Sequence, residues 1–445
     1  MKKVITYGTY DCLHYGHINL LRNARKLGDY LIVGITSEAF DQSRGKIDVR
    51  QSLVERIEAV RATGLADKII VEEYEGQKIA DIERYGVDIF TVGSDWEGKF
   101  DYLKKYCEVV YLPRTQGISS TEIRTMDNPV VRLGIVGEMT PSERFINECK
   151  AVSGIDVVGI TGHDNSVTGA IADRTGISCF ESRDALYDEC DAVYIVDRID
   201  FHNELITEAL HRGKHVICEA PIFLRVEDAA RCYDYAHEHG LVLFEGIKTR
   251  YFPGYKHLLL VAESGKIGRI KDVEVSFSQK LGDIDYSRRN KYQGSLYDLG
   301  GYIFLPVIQL LGRNIEDMHI YTSRQNDFDV FTKGIIKYPE ALATFKAGLG
   351  VKTEGQLIIT GTEGYIYVPA PWWKTDYFEL RHEDLRDTRK YFWQYEGEGF
   401  RYEIVEFMKQ INDISSGCDG QYTKEDSMAI TDIIERFDNG EYSLF

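Results

Sequence analysis

Short runs of branched apolar residues recur through the first 125 positions, and longer stretches between them return apolar residues every three or four places. KKVITYG, YLIVGIT, KIIVEE, VDIFTVG and EVVYLPR read as strands buried on both faces, because a continuous apolar run lacks the alternation of a half-exposed strand. HINLLRNARKLG and VRQSLVERIEAVRATG carry the helical period between them. Strands alternating with helices of this length predict βαβ units and an open parallel sheet over 1–125. TMDNPVV then breaks the pattern with Asp, Asn and Pro, predicting a linker over 126–130. A second alternating set, VRLGIVG, IDVVGITG, DAVYIVD, KHVICEA and LVLFEG, predicts a second Rossmann-like sheet over 131–247. From Lys248 onward the strands lengthen and helices thin out, as in IKDVEVSFSQK, KGIIKYPEALATFKAGLG and GQLIITGTEGYIYVP. That predicts an α+β domain over 248–445 with a mainly antiparallel open sheet, closed by a helix near DSMAITDIIERF. The fold class expected is therefore α/β: two Rossmann-like parallel sheets followed by an α+β domain.

A length of 445 residues exceeds a typical single core and agrees with several domains. Hydrophobic content of 43% and charged content of 28% are those of a soluble globular chain. No stretch approaches the ~20 apolar residues needed to cross a bilayer, and MKKVITYG does not read as a secretory signal. The expectation is a cytoplasmic protein with no membrane partner. Eight cysteines never form a CxxC pair, which points to reduced thiols rather than disulfides or zinc, and no metal ligand set is assigned. A formal net charge of −18 argues against nucleic acid as a partner. Any anionic ligand must be held by a local group of donors against that field.

YGTYDCLHYGHINLLRNARKLGDY, from Tyr7 to Tyr30, supplies one such group. His14 and His17 fall in a strand-to-helix turn and the first helical turn, where residues three apart share a face. Exposed N–H groups and the positive end of the helix dipole face the same way, favouring an anion; Gly8 and Gly16 permit close backbone approach. Zinc would need further ligands at suitable spacing, and a nucleophile triad would need a serine elbow; neither is present. On spacing alone, a purely structural role in capping and packing the helix stands equally beside the phosphate reading. YLPRTQGISSTEIR shifts that balance. Arg114 brings a bidentate fork, Gly117 loosens the loop, and Ser119, Ser120 and Thr121 offer hydroxyls before another helix. In an open parallel sheet, loops leaving strands one and five face a common crevice.

GTYD…HYGH, VGSDWEGKFD and YLPRTQGISSTEIR together resemble the glycerol-3-phosphate cytidylyltransferase branch of the HxGH nucleotidyltransferases, over residues 1–125. The resemblance implies that Thr9, Tyr10, Gly16, His14, His17, Lys46 and the segment Arg114, Thr115, Gly117, Ile118, Ser119, Ser120, Thr121 hold CTP. It implies catalytic roles for His14, His17, Lys46 and Arg114, with magnesium bridging phosphates, and contact of Arg44 and Lys78 with the acceptor phosphate. The family usually has lysine where Arg44 stands. Asp11 could turn an imidazole and Asp95 could meet ribose or metal; a structural turn role is the alternative for both. Trp96 is read as packing.

VVRLGIVGEMTPSERFI sits where a dinucleotide fingerprint would open the second sheet, but only Gly137 fits G-x-G-x-x-G; Met139 and Ser142 take the other glycine positions, where side chains would crowd a pyrophosphate, and Glu138 adds a repelling charge. DAVYIVDRIDFHNELITEALHRGKHVICEAPIFLRVEDA, GKIGRIKDV, SLYDLGGY and ITGTEGYIYVP resemble the glucose–fructose oxidoreductase/inositol dehydrogenase/MocA family over 130–445. That family has a lysine where Ala220 stands in CEAP and a histidine where Tyr302 ends DLGGY. GITGHD has no acid clearly placed to grip an adenine ribose. Two readings follow. In one, the half is an NAD(P)H-dependent reductase in which Tyr302 donates a proton, Lys248 lowers its pKa and Asp298 orients it. In the other, hydride transfer is lost and the half is a dimerising or regulatory module. Either way, CTP and a small polyol or ketose phosphate are the expected ligands, with a longer sugar or polyol phosphate as the alternative acceptor, and a homo-oligomer, dimer or larger, is the expected assembly.

Overall fold

The computed structural model describes residues 1–445 apart from 12, 14, 44–48, 50, 75, 114–129, 140, 281–289, 394, 396 and 416–423. The chain forms two compact units, one of Met1–Val130 with Val152–Gly154, the other of Val131–Ala151 with Ile155–Phe445.

In the first unit β1 (Lys3–Gly8), α1 (Tyr15–Arg25), β2 (Tyr30–Thr36), α2 (Glu38–Ser43), α3 (Leu53–Ala62), β3 (Lys68–Glu72), α4 (Gln77–Tyr85), β4 (Ile89–Gly93) and β5 (Glu108–Leu112) follow in order. All five strand runs expected from the sequence are strands, and every pairing is parallel, in the order β3-β2-β1-β4-β5. Neighbouring residues of β1 and β2 point to opposite faces, and both faces are covered. Val4, Leu31, Val33 and Ile35 pack with Leu21 and Ala24 of α1 on one side. Ile5, Tyr7, Ile32 and Phe90 pack with Ile82 of α4 on the other. That double burial is why the strands read as unbroken apolar runs. The order reverses between β1 and β4, so a crevice opens at their carboxyl ends.

The second unit begins with β6 (Val131–Val136), α5 (Pro141–Cys149), β7 (Ile155–Thr161), α6 (Asn165–Thr175), β8 (Ser178–Cys179), α7 (Arg183–Glu189), β9 (Ala192–Ile195), α8 (Ile199–His211), β10 (His215–Glu219), α9 (Val226–Glu238) and β11 (Leu243–Gly246). Its first sheet is parallel, in the order β11-β10-β9-β6-β7-β8, and reverses between β6 and β9. Then come α10 (Pro253–Glu263), β12 (Ile270–Gln279), α11 (Ser295–Leu311), β13 (Asp317–Gln325), β14 (Phe328–Lys337), β15 (Leu342–Leu349), β16 (Leu357–Gly361), β17 (Tyr365–Val368), β18 (Tyr377–Arg381), β19 (Arg389–Phe392), α12 (Phe400–Ser415), α13 (Lys424–Asp438) and β20 (Ser443–Leu444). The second sheet is mixed and mostly antiparallel, in the order β19-β18-β17-β16-β12-β15-β14-β13-β20; only β12–β15 and β13–β20 pair in parallel.

Two runs that read as single long strands are hairpins. KGIIKYPEALATFKAGLG turns at Pro339–Glu340 between β14 and β15, and GQLIITGTEGYIYVP turns at Thr362–Gly364 between β16 and β17. Proline removes a ladder donor, and glycine admits a tight turn, so each run folds back on itself. Helix α11, apolar almost all round, lies against β12, β15, β14 and α13; such a helix has no face to offer water. Among the described residues no helix is long and apolar enough to cross a membrane. Cys107, Cys149, Cys179, Cys190, Cys218 and Cys232 are free thiols.

Candidate functional site

At the end of β1 the chain turns through Tyr10, whose φ of 54° lies in the left-handed region. Its ring is buried and meets the His17 imidazole edge-on at 5.5 Å. A Cβ on Gly8 would come within 3.0 Å of that ring, so glycine makes the space for it. Tyr10 therefore braces His17, which stands with Gly16 in the first turn of α1. That turn contains no acidic residue, and Arg22 and Arg25 lie at the far end. The first turn of α1 thus places no acidic side chain at the positive end of the dipole.

The turn is pinned by Arg56, which the sequence reading missed. Its side chain is 0% exposed. One guanidinium nitrogen donates to the carbonyls of Thr9 and Thr36, both at 2.8 Å, and Nε donates to the Gln51 carbonyl at 3.0 Å. Asp41, equally buried, lies 3.7 Å from the guanidinium and accepts the Thr9 hydroxyl at 2.9 Å. Asp11, also buried, accepts the Gln51 N–H at 3.0 Å. The ends of β1 and β2 and the start of α3 are thereby fixed to one another. No local pattern signals this, because Arg56 sits on a helix whose period alone would allow it a solvated face.

Asp95 is exposed in a short 3-10 turn, Ser94–Trp96, directly after β4, at the other lip of the crevice. Trp96 packs against Phe100 at 5.9 Å between centroids. Lys78 is buried, ion-paired with Glu72, and its ammonium lies 4.9 Å from the Tyr7 ring centroid. Glu72 also accepts the Thr36 hydroxyl at 2.9 Å, so Lys78 belongs to a buried network at the carboxyl ends of β2 and β3. His14, Arg44, Lys46, Arg114, Thr115, Gly117, Ile118, Ser119, Ser120 and Thr121 lie outside the described residues.

In the second unit, Gly137 follows β6 at the reversal point with φ of 114°, and a Cβ there would lie 2.3 Å from the Val196 carbonyl oxygen. Only glycine fits. Ser142, expected to crowd a pyrophosphate, does not. It is fully buried, and its hydroxyl turns back to donate to the Met139 carbonyl at 2.8 Å. Met139, at the other substituted position, is exposed.

Further along the same strand ends, a charged group is sealed in. Tyr194 donates to the Glu219 carboxylate. Phe145 stacks on Tyr194 at 3.7 Å, and Lys248 lies 4.2 Å over the Phe400 ring. One helical turn after Phe400, Glu403 is 0% exposed with neither carboxylate oxygen hydrogen-bonded. Burial, then the charge of Glu219, pushes the Glu403 carboxyl well above its ordinary range. Burial also raises Glu219, against its bond from Tyr194 and the charges of Lys248 and Arg144. Lys248 is lowered by burial, against the pull of Glu403 and Glu219. One lysine facing two such carboxyls can hold a proton and pass it on.

Tyr302 departs from expectation. Its phenol is raised, first by burial and then by Glu219 and Glu403, with the charge of Arg144 opposing. It remains protonated, as a proton donor must. Asp298 lies one turn before it on α11 and adds to the same upward push. A Cβ on Gly301 would come within 2.7 Å of Ala220, so α11 approaches the β10 loop closely here. Glu219 and Glu403 were not singled out from the sequence; the glutamate preceding Ala220 in CEAP was the one available hint.

Residues 5–126 match the profile described as Cytidylyltransferase-like. Glycerol-3-phosphate cytidylyltransferase of Staphylococcus aureus is 51% identical over 129 residues, 28% of this chain and 93% of that enzyme. Through its first unit, the chain belongs to the cytidylyltransferase-like family. This cytidylyltransferase-like domain is fused to an oxidoreductase domain: residues 131–247 match the oxidoreductase family with an NAD-binding Rossmann fold, and 255–367 the GFO/IDH/MocA C-terminal domain. dTDP-3,4-didehydro-2,6-dideoxy-α-D-glucose 3-reductase of Actinomadura kijaniata is 28% identical over 234 residues, 50% of this chain and 69% of that enzyme. A solved 3-ketoreductase from the same organism, in complex with NADP and TDP-benzene, shares the fold of the second unit. It has a TM-score of 0.64 at 21% identity and covers 71% of this chain and 99% of that one. The cytidylyltransferase-like chain is an enzyme built from two catalytic fold types.

Proposed function

We propose that the first unit transfers a cytidylyl group from CTP to a small polyol or ketose phosphate, best glycerol 3-phosphate, giving a CDP-polyol and pyrophosphate. The observation that carries this is the α1 N-terminus: acid-free in its first turn, placed at the β1/β4 crevice, with His17 braced by Tyr10. A phosphate-monoester oxygen, anionic at neutral pH, attacks the α-phosphorus of CTP in line, and the bond to pyrophosphate breaks. No general base is needed. What is needed is suppression of repulsion between two polyanions. His14, His17, Lys46 and Arg114 are assigned to that task, with Arg44 and Lys78 toward the acceptor. Among the described residues no three His, Cys, Asp or Glu side chains gather as a metal cage. Magnesium is expected with CTP, supplying charge neutralisation at the phosphates, and exposed Asp95 would be a residue to meet it. The test is pyrophosphate release from CTP with a panel of phosphorylated polyols and ketoses; silence with every acceptor would sink the reading.

For the second unit the reading is a nicotinamide-dependent reductase acting on the ketose phosphate or its CDP adduct. The whole would then supply a CDP-activated polyol for a teichoic-acid or capsule-type polymer, working in the cytoplasm as a homo-oligomer, with domains at 1–125, 131–247 and 248–445. Gly137 and the inward Ser142 fit a dinucleotide, which would supply the hydride. Tyr302 would protonate the carbonyl oxygen, with Glu219, Lys248 and Glu403 replenishing the proton. The loss of a lysine at Ala220 favours the alternative, a dimerising or regulatory module. Quenching of protein fluorescence by NADH or NADPH, then loss of nicotinamide absorbance with dihydroxyacetone phosphate, fructose 6-phosphate or CDP adducts, separates the two. Neither binding nor turnover would leave the scaffold.

A further inference from the structure

A Rossmann sheet that takes NAD generally presents an acid some 20 residues past the glycine turn, at the end of its second strand, to accept the adenosine ribose hydroxyls; an arginine there suits a 2′-phosphate instead. At that point this chain has Gly162 and His163. The structure puts a carboxylate there by another route. Glu138, immediately after Gly137, reaches across to the end of β7, where its Oε2 accepts the His163 N–H at 2.9 Å. A Cβ on Gly162 would lie 2.0 Å from that oxygen, so the absence of a side chain at 162 is what admits the carboxylate.

We infer that Glu138 is the residue that reads the adenosine ribose, and that the second unit takes NADH in preference to NADPH. The inference rests on the dinucleotide-binding reading of that unit. The cations nearby are already committed. The Nε2 of His163 is 2.9 Å from Asp197. The Arg198 guanidinium, next in sequence, is held by Asp200 at 2.9 and 3.1 Å. Asp164 caps α6 and adds a further negative charge beside His163. A vicinal diol can donate to the free lone pairs of Glu138. A 2′-phosphate beside Glu138 would meet a like charge, with Asp164 and Asp197 flanking His163 and no uncommitted cation among these described residues. The solved ketoreductase that shares the fold is in complex with NADP, so the chain departs from that neighbour at this point.

The full chain is titrated with NADH and with NADPH by protein-fluorescence quenching, alongside Glu138→Gln, with circular dichroism melting as the control for folding. The expected result is NADH tighter by about tenfold or more, a preference that Glu138→Gln reduces to within about threefold. Equal or tighter NADPH binding by the unaltered chain overturns the inference and leaves the dinucleotide reading standing. An NADH preference that survives intact in a folded Glu138→Gln variant removes Glu138 from the role. Failure of both nucleotides to bind overturns the underlying reading together with the inference.

Discussion

Each unit builds a crevice where a parallel sheet reverses its strand order, yet the two crevices are furnished oppositely. At β1/β4 the helix that opens the site carries no acid in its first turn, and the turn beside it is clamped from beneath by buried Arg56. At β6/β9 the first loop residue after the glycine is a glutamate, and a half-buried lysine feels the charges of two carboxyls farther along. The topology offers the same dipoles and N–H groups in both places. What differs among the described residues is the side chain set first beside them, an acid-free helical turn in one and Glu138 in the other, and the proposals for a triphosphate and for an uncharged diol rest on that difference. Strand order locates a ligand, and side-chain charge selects it.

The most severe way to disturb this contrast is Arg56→Ala. It removes the ion pair of Arg56 with buried Asp41 and its hydrogen bonds to the Thr9 and Thr36 carbonyls, so a loss of ~3–5 kcal/mol is expected in denaturant unfolding of the first unit. Stability unchanged within ~1 kcal/mol would mean the clamp is ornamental. Next, His17→Ala and His14→Ala are expected to lower kcat for pyrophosphate release by about 10²–10³-fold with little effect on melting; near-normal turnover in either would show that the helix end alone handles the charge. On the second unit, burial holds the Glu245 carboxyl up to about 7. Because the folded-state value is raised, the associated stability is complete at acid pH and is lost as pH climbs through about 7. Glu245→Gln should therefore flatten that part of the melting-temperature profile, by the equivalent of ~1–3 kcal/mol; an unaltered slope would assign it to other groups. The smallest effect sharpens the contrast most. Gly162→Ala would push the Glu138 carboxylate aside and reduce any NADH preference a few-fold, with stability changed by ~1 kcal/mol or less.

Much of the architecture was legible because it is written locally. Five apolar runs in the first unit are its five strands, and His17 falls in the first turn of α1, where the spacing placed it. What escaped notice depends on contacts between positions far apart in the chain. Arg56 is a helix residue like its neighbours until the carbonyls of Thr9 and Thr36 arrive around it. Glu403 lies more than 180 positions after Glu219, and nothing in FRYEIVEF marks it as a buried carboxyl. The Glu138–Gly162 pairing could not be read either, since a glutamate at that place looks like an obstacle until its direction is known. Tyr302 was singled out, but the upward push on its phenol depends on burial and on Glu219 and Glu403, which lie far from it in the chain.

The inward hydroxyl of Ser142 bears on how such sheets are recognised in other chains. A side chain that bonds to its own loop presents an incoming molecule with almost the same bare contour that glycine does. Motif searches demanding three glycines will pass over folds of this kind, and a pattern that keeps only the first glycine and accepts serine at the third place would retrieve this chain.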